Sequence, residues 1–338
     1  MRRLGGQRAA VLIAVLGAVA ALALIAALGG RPGAVIGPSG ATTSGLATRS
    51  PIPATPPGSA TVGGSVTPSG EPAASPVVLV GAGDIADCRS DRAAATADLL
   101  DDIDGTVFTL GDNAYERGSR REYEDCYRPT WGRHLERTRP VPGNHEYGTA
   151  GAAGYFGYFG ERAGDPARGY YAYDLGAWHI YALNSNCDDV ACGPASAQVA
   201  WLEGDLTANP RRCTLAYWHH PRYSSGRHGN IAETDRLWDV LYEAGAEIVL
   251  AGHDHSYERF APMSASGDPD PDRGVVAFVV GTGGRALYEF HDILPTSRSR
   301  DAASWGVLEL TLFADRWSSR FVPVAGQSFT DAASGTCH

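Results

Sequence analysis

The 338-residue sequence contains no lysine: all 28 of its basic side chains are arginine, against 38 acidic ones. That absence excludes the chemistries that need a lysine amine, namely the P-loop, the kinase ion pair, Schiff-base catalysis and Ser-x-x-Lys acylation. With a formal charge of −10, the chain also lacks the clustered cations that neutralise nucleic-acid phosphates, so a nucleic-acid coat is excluded and small substrates are favoured. No Cys-x-x-Cys occurs, which removes the commonest zinc-ribbon and thioredoxin patterns. Repeats at solenoid periods are not evident either.

What is present begins with an address. Arg2, Arg3 and Arg8 precede an uncharged stretch from Ala9 to Leu28, a positive region followed by an apolar one. Residues 1–30 therefore read as an export signal, or as an uncleaved single-pass anchor with its N-terminus inside. The protein is expected to be exported, either secreted or held on the outer face of the cell membrane. In residues 31–76, 30 of 46 positions are Pro, Gly, Ser or Thr and none is aromatic. Such a segment cannot bury enough apolar surface to offset its ordering entropy, and it reads as a disordered linker. Residues 77–338 are left as one folded domain with 23 basic and 37 acidic side chains. Six cysteines in an exported chain imply disulfides. Cys187 with Cys192 is the easiest local closure; the other four allow three connectivities, of which Cys88–Cys126 with Cys213–Cys337 is preferred.

Short runs rich in Val, Leu and Ile at 77–83, 106–111, 214–218, 247–251 and 275–280 alternate with helical patterns near 91–101, 121–137, 196–208 and 231–244. Hairpins are expected over 170–183 and 305–324, so the plan is α/β with mixed sheets. Four of the strands run into polar turns: Gly83-Asp84, Gly111-Asp112-Asn-Ala-Tyr115, Trp218-His219-His220-Pro221 and Gly252-His253-Asp-His255. A fifth turn, Gly143-Asn144-His145-Glu146, follows a shorter approach. Taken singly, an Asp at a strand end is more often a cap or turn former, and a lone His more often structural. In α/β sheets, however, ligands bind beyond the carboxyl ends of strands, so five such turns can share one crevice. Carboxylate, imidazole and amide oxygen together suit a pair of hard-to-borderline cations.

In this order the blocks resemble the calcineurin-like metallophosphoesterases, and more narrowly the purple acid phosphatases. The run Gly252-His-Asp-His-Ser-Tyr-Glu-Arg259 is especially close to the plant form. The resemblance implies a four-layer α/β/β/α sandwich with two mixed sheets and a binuclear centre. Asp84, Asp112, Tyr115 and His255 would ligate the first metal, and Asp112, Asn144, His219 and His253 the second. Fe(III) is favoured at the Tyr115 site, because Ala86 stands where the general superfamily has a His and a phenolate suits a trivalent ion; Zn, Mn or Fe(II) would take the other. Of the adjacent His219 and His220, the family's His-x-Pro pattern selects His219. His145 would donate the leaving-group proton or bind phosphate, and His228 would lie on the substrate side. The implied activity is hydrolysis of small phosphate monoesters by attack of a metal-bound hydroxide. The alternatives are a phosphodiesterase or nucleotidase on the same fold, or a non-catalytic surface-binding domain; no oligomeric state is indicated. His134, His179, His291 and His338 read as structural or exposed, and the 155–159 aromatic cluster as core. The glycines at 281–284 read as a turn rather than a phosphate cradle, and the acidic run 268–272 lacks the Gly and Glu of a calcium loop.

Overall fold

A computed structural model describes residues 75–211 and 213–338, so the expected signal or anchor and nearly all of the expected linker lie outside the described residues. Among the described residues no helix is long and apolar enough to cross a membrane. The described residues open with β1 (Val77–Ala82), β2 (Ala86–Asp87), β3 (Thr106–Leu110), β4 (Ala114–Tyr115) and β5 (Thr138–Val141). There follow β6 (Tyr171–Leu175), β7 (Trp178–Ala182), β8 (Cys213–Tyr217), β9 (Ile248–Ala251) and β10 (Tyr257–Met263). The last strands are β11 (Val275–Val280), β12 (Ser297–Asp301), β13 (Gly306–Leu312), β14 (Arg316–Pro323) and β15 (Ala332–Thr336).

Two large sheets result, in the orders β15-β14-β13-β1-β3-β5 and β12-β10-β11-β9-β8-β7-β6, with β2 and β4 forming a separate short ladder. Both are mixed, as the sequence leads one to expect. β1, β3 and β5 run parallel in the first, while β11, β9, β8 and β7 run parallel in the second. The central strands β8, β9 and β11 are buried along their whole length, which is why they read as unbroken apolar runs. The edge strands β12 and β15 instead alternate between half-buried and exposed.

Leu79, Phe108 and Leu110 of one sheet share a buried core with Ile180, Leu215, Leu250 and Phe278 of the other. The outer face of the second sheet packs on helices Ala197–Ala208 and Asp235–Glu243 through Val199, Leu202, Leu237 and Leu241. Helix Arg92–Asp102 packs on the first sheet through Ala93, Ala97 and Leu100. These layers make the four-layer α/β/β/α sandwich. Truncating Leu241, which is fully buried, to Ala would cost about 2–5 kcal/mol.

The helix expected over 121–137 does not form as one element. It breaks into a turn at Arg120–Glu122, a π-helical turn at Tyr123–Tyr127 and a 3-10 segment at Trp131–Arg137. The pattern is interrupted first by the π turn and then at Thr130, whose φ of −110° and ψ of −105° leave the helical region, whereas Arg128, before Pro129, is still helical at φ −55° and ψ −44°. Cys126, on the π turn, is tied to Cys88; the other disulfides are Cys187–Cys192 and Cys213–Cys337, and no free cysteine is left among the described residues. β10, β12 and β15 were not foreseen from the sequence. The aromatic cluster is core: Tyr155 and Phe159 are buried, and Tyr123 stacks on Tyr158 with ring centres 4.9 Å apart. In the acidic run, Asp270 accepts hydrogen bonds from Tyr242 and from the Arg273 backbone, the pattern of a turn. His134 and His179 are held by carboxylates and backbone as structural groups.

Candidate metal centre

The five motif turns leave the carboxyl ends of β1, β3, β5, β8 and β9. Adjacent parallel strands bring those ends to one rim, β1, β3 and β5 from the first sheet and β8 with β9 from the second. The turns are tight. Asp84, Asp112 and His253 have φ of 60°, 48° and 70°, and they are three of the four non-glycine residues with positive φ among the described residues. Each such conformation costs about 1–3 kcal/mol, and it persists here because the strands on either side fix it. Gly143 is required by close approach, since a Cβ there would sit 2.2 Å from Asp112 Oδ1. Gly281 is also required by close approach, since a Cβ there would sit 2.2 Å from the Asp254 carbonyl and 2.8 Å from Asp84 Oδ2, so the 281–284 turn forms part of the floor of the site.

Two groups of donor atoms converge on Asp112 Oδ2. In the first, the Tyr115 hydroxyl lies 2.8 Å from Asp84 Oδ1, 3.1 Å from Asp112 Oδ2 and 3.3 Å from His255 Nε2. His255 Nε2 is also 3.3 Å from Asp84 Oδ1. In the second, His219 Nε2 lies 3.1 Å from Asn144 Oδ1, 3.2 Å from His253 Nδ1 and 3.4 Å from Asp112 Oδ2. The hydrogen-bond partners on the far side of the rings fix the tautomers. His219 Nδ1 donates to the Leu110 carbonyl at 2.7 Å and His255 Nδ1 to the Ala286 carbonyl at 2.8 Å, so Nε2 is the atom each ring turns into the site, where it would bind a cation once deprotonated.

Asp84 and Asp112 are 0% and 2% exposed. Burial by itself would raise the Asp112 carboxyl, but the His219 and His145 imidazoles beside it hold it well below the usual carboxylate range. Burial would lower His219, yet Asp112 and Asp84 push it up to about 9. His253 goes the other way, lowered by burial and by the neighbouring His219, His220 and His228. Burial and the two carboxylates raise the Tyr115 phenol well above its ordinary value, so without a cation it remains a hydrogen-bond donor.

The remaining expected residues are close by. His145 donates from its backbone to Asp112 Oδ1 at 2.9 Å, and its Nε2 lies 3.7 Å from Asp112 Oδ2. The exposed His228 sets its ring 4.2 Å from that of His253. His220 hydrogen-bonds the Ser185 hydroxyl through Nδ1 and sits ring to ring with His219 and His253. A cleft of about 430 Å³ opens beside Asn144 and His220, bounded by Tyr147, Asn186, Asp189 and Glu233.

Sequence reasoning gave no role to two further groups. Glu146, fully buried, accepts from the backbone of Gly143 at 2.7 Å and Asn113 at 3.0 Å, tying together the turns after β5 and β3. Burial and Asp112 push its carboxyl up to about 7. Its place in the Gly-Asn-His-Glu block was the available signal. Arg285 lies with its guanidinium 4.4 Å from the centre of the Tyr115 ring, paired to Asp87 and Glu116. It follows the 281–284 glycines, and no spacing rule singles it out.

The donor set fits a pair of cations. Ligands to one ion at metal–donor distances of about 2.0–2.2 Å are about 2.8–3.6 Å apart between right-angle and tetrahedral geometries, and the separations above run from 2.8 to 3.4 Å. Two buried carboxylates meeting only a phenol, imidazoles and backbone amides are an anionic pocket in need of positive charge. A mixed two-sheet sandwich with two donor groups sharing one carboxylate oxygen defines a scaffold for a binuclear centre. The chain belongs to the calcineurin-like phosphoesterase family, whose profile matches residues 77–257, and among curated proteins it is similar to purple acid phosphatases. It is 30% identical over 239 residues to purple acid phosphatase 21 of Arabidopsis thaliana, covering 63% of this chain and 51% of that protein. It is 32% identical over 132 residues to probable purple acid phosphatase 20 of the same plant, covering 37% of this chain and 30% of that one. The chain thus spans about half or less of the length of these relatives. In three dimensions it is similar to purple acid phosphatase PPD1 from yellow lupin seeds, with a TM-score of 0.62 at 18% identity, covering 77% of this chain and 53% of that one.

Proposed function

We propose that residues 77–338 are a metal-dependent phosphatase domain that hydrolyses small phosphate monoesters outside the cytoplasm. The observation carrying this reading is the convergence of both donor groups on Asp112 Oδ2. Asp84, Asp112, Tyr115 and His255 would hold one cation, with Fe(III) favoured for the phenolate it can accept. Asp112, Asn144, His219 and His253 would hold the other, as Zn, Mn or Fe(II). Bound cations would polarise the phosphoryl oxygens and acidify a water that displaces the alcohol in line.

The chain's own groups supply the rest. His145 Nδ1 faces the Glu116 carbonyl at 2.6 Å and must therefore carry hydrogen there, so Nε2 is the atom free to exchange a proton. That nitrogen is on the Asp112 side of the site, where it can protonate the departing alkoxide. His228, at the mouth against His253, would contact the phosphate or its ester oxygen. The cleft beside Asn144 has room for the alcohol portion. Three disulfides support export, and residues 1–30 would be the signal or anchor that effects it, with 31–76 as linker.

The test is metal analysis and phosphate release on the purified full chain. Two metals per chain, a visible band when iron is loaded, and faster release from an aryl monoester than from a bis-aryl diester are expected. A diester preference would move the assignment to phosphodiesterases. Two bound metals without turnover of either ester would leave a binding domain.

A further inference from the structure

The run that supplies His253 and His255 also carries two buried carboxylates that face away from the donor groups. Asp254 and Glu258 are each 0% exposed, and both are bonded to the loop that leads from β8 to His228. Asp254 Oδ2 accepts from the Ser224 hydroxyl at 2.5 Å, and its Oδ1 from the His228 backbone N–H at 2.8 Å. Glu258 accepts from the Ser225 hydroxyl at 2.6 Å and the Ser225 backbone N–H at 2.8 Å. The Gly226 N–H donates back to the Ser224 hydroxyl at 2.9 Å. A Cβ on Gly226 would meet the Asp254 carboxyl carbon at 2.3 Å, so a glycine is needed for the loop to lie this close. Without these bonds the backbone at His228 would be free to open away from the turn, and its exposed imidazole would lose its place against the His253 ring, 4.2 Å away.

We propose that Asp254 is a positioning residue for His228. With Glu258 securing the preceding residue, it registers the 224–228 loop against the same two-residue turn that delivers His253 and His255, so the substrate-side imidazole and the two donor groups keep one relative geometry. Two charge-assisted bonds from one carboxylate, to the first and last residues of the segment, fix both its ends. The consequence for catalysis rests on His228 meeting the substrate, as proposed above; the anchoring itself does not.

The full chain in its metal-loaded form is compared with Ser224→Ala, which cuts the anchor from the loop side away from the donor groups, with Asp254→Asn as the conservative change, and with His228→Ala. Metal content, kcat, KM and hydrogen exchange of the 224–228 amides are read for each. Ser224→Ala is expected to keep two metals, to expose the loop amides to faster exchange, and to lower kcat/KM about tenfold. That loss should shrink to under about twofold in the His228→Ala background, because effects that act through one group are not additive. Asp254→Asn, which retains an oxygen for the His228 N–H, should fall between wild type and Ser224→Ala. Unchanged loop exchange in Ser224→Ala would overturn the anchor, and fully additive losses in the double variant would overturn the positioning of His228. A silent His228→Ala together with accelerated exchange in Ser224→Ala would refute the substrate role of His228 and leave the anchor standing.

Discussion

Tyr115→Phe separates the two states of the centre, with and without cations. In the metal-free protein the phenol is a buried donor serving Asp84 at 2.8 Å and Asp112 at 3.1 Å. One hydroxyl hydrogen can serve only one carboxylate fully, so the loss is one charge-assisted hydrogen bond, about 1.5–3 kcal/mol, rather than two. The ring is 2% exposed, and phenylalanine fills the same space, so no cavity term is added. For a domain of this size about 1 kcal/mol corresponds to roughly 2–4 °C in Tm, and the chelated variant should melt several degrees below chelated wild type. The iron-loaded protein gives the second readout. A phenolate bound to Fe(III) absorbs visible light, and deleting the oxygen should remove that band while the second donor group, which lacks Tyr115, keeps its ion. Calorimetry on chelated samples and a visible spectrum with metal analysis on loaded ones make the measurement. An unchanged band in the variant, or a colourless iron-loaded wild type, would refute a phenolate ligand at Tyr115.

Four further outcomes are expected. His145→Ala should lower kcat more for poor leaving groups than for good ones, steepening the dependence of rate on the pKa of the departing alcohol; an equal loss across the series would exclude the acid role. Gly143→Ala would place a Cβ 2.2 Å from Asp112 Oδ1, and metal analysis should find well under two metals per chain. Burial would raise Asp331, but its paired bonds from Arg259 at 2.6 and 2.9 Å and its bond from Tyr257 hold it low. Its stabilisation is therefore present above the unfolded value near 3.9 and lost as pH falls through the lower folded value, so Asp331→Ala should destabilise at pH 6 by about 3 kcal/mol and converge with wild type in acid. His219 in metal-free protein has the opposite sign: raised to about 9, it stabilises below about 6.5 and loses that contribution as pH rises through its folded value, a decline that denaturation of metal-loaded protein should not share.

Much of this architecture is legible because strand ends and glycines are local signals. The central strands are continuous apolar runs that stop at Gly-Asp or His turns, and adjacency of parallel strands gathers those turns at one rim. What was hidden had no local signal. β10 carries charged residues at positions 258 and 259, and β12 reads Ser-Arg-Ser-Arg-Asp; neither reads as a strand until β10 pairs with β11 and β12 then adds to β10 as an edge. The helix expected over 121–137 gives way at the π turn Tyr123–Tyr127 and again at Thr130, which leaves the helical region, although the 3.6-residue pattern continues across both. Gly281 looked like turn chemistry and is one, but it must be glycine because a Cβ would sit 2.2 Å from the Asp254 carbonyl and 2.8 Å from Asp84 Oδ2, contacts distant in the chain.

The strain at the centre follows from the same arrangement. A ligand that merely extended its strand would point along the sheet, whereas positive φ at Asp84, Asp112 and His253 turns each side chain back over the strand end toward the others. Those conformations are unfavourable for side chains with a Cβ, and the fold stabilises them with backbone bonds across the turns: Asp84 N–H to the Gly111 carbonyl at 3.1 Å, and Gly252 N–H to the His219 carbonyl at 3.0 Å. The His253 N–H donates to Asp84 Oδ2 at 2.9 Å, so a ligand from the second sheet is fixed by a carboxylate from the first. Each turn is thus held by another turn rather than by its own strand. Of these bonds the one from His253 to Asp84 crosses between the sheets, so sliding one sheet against the other would break it and separate the supports of the two donor groups.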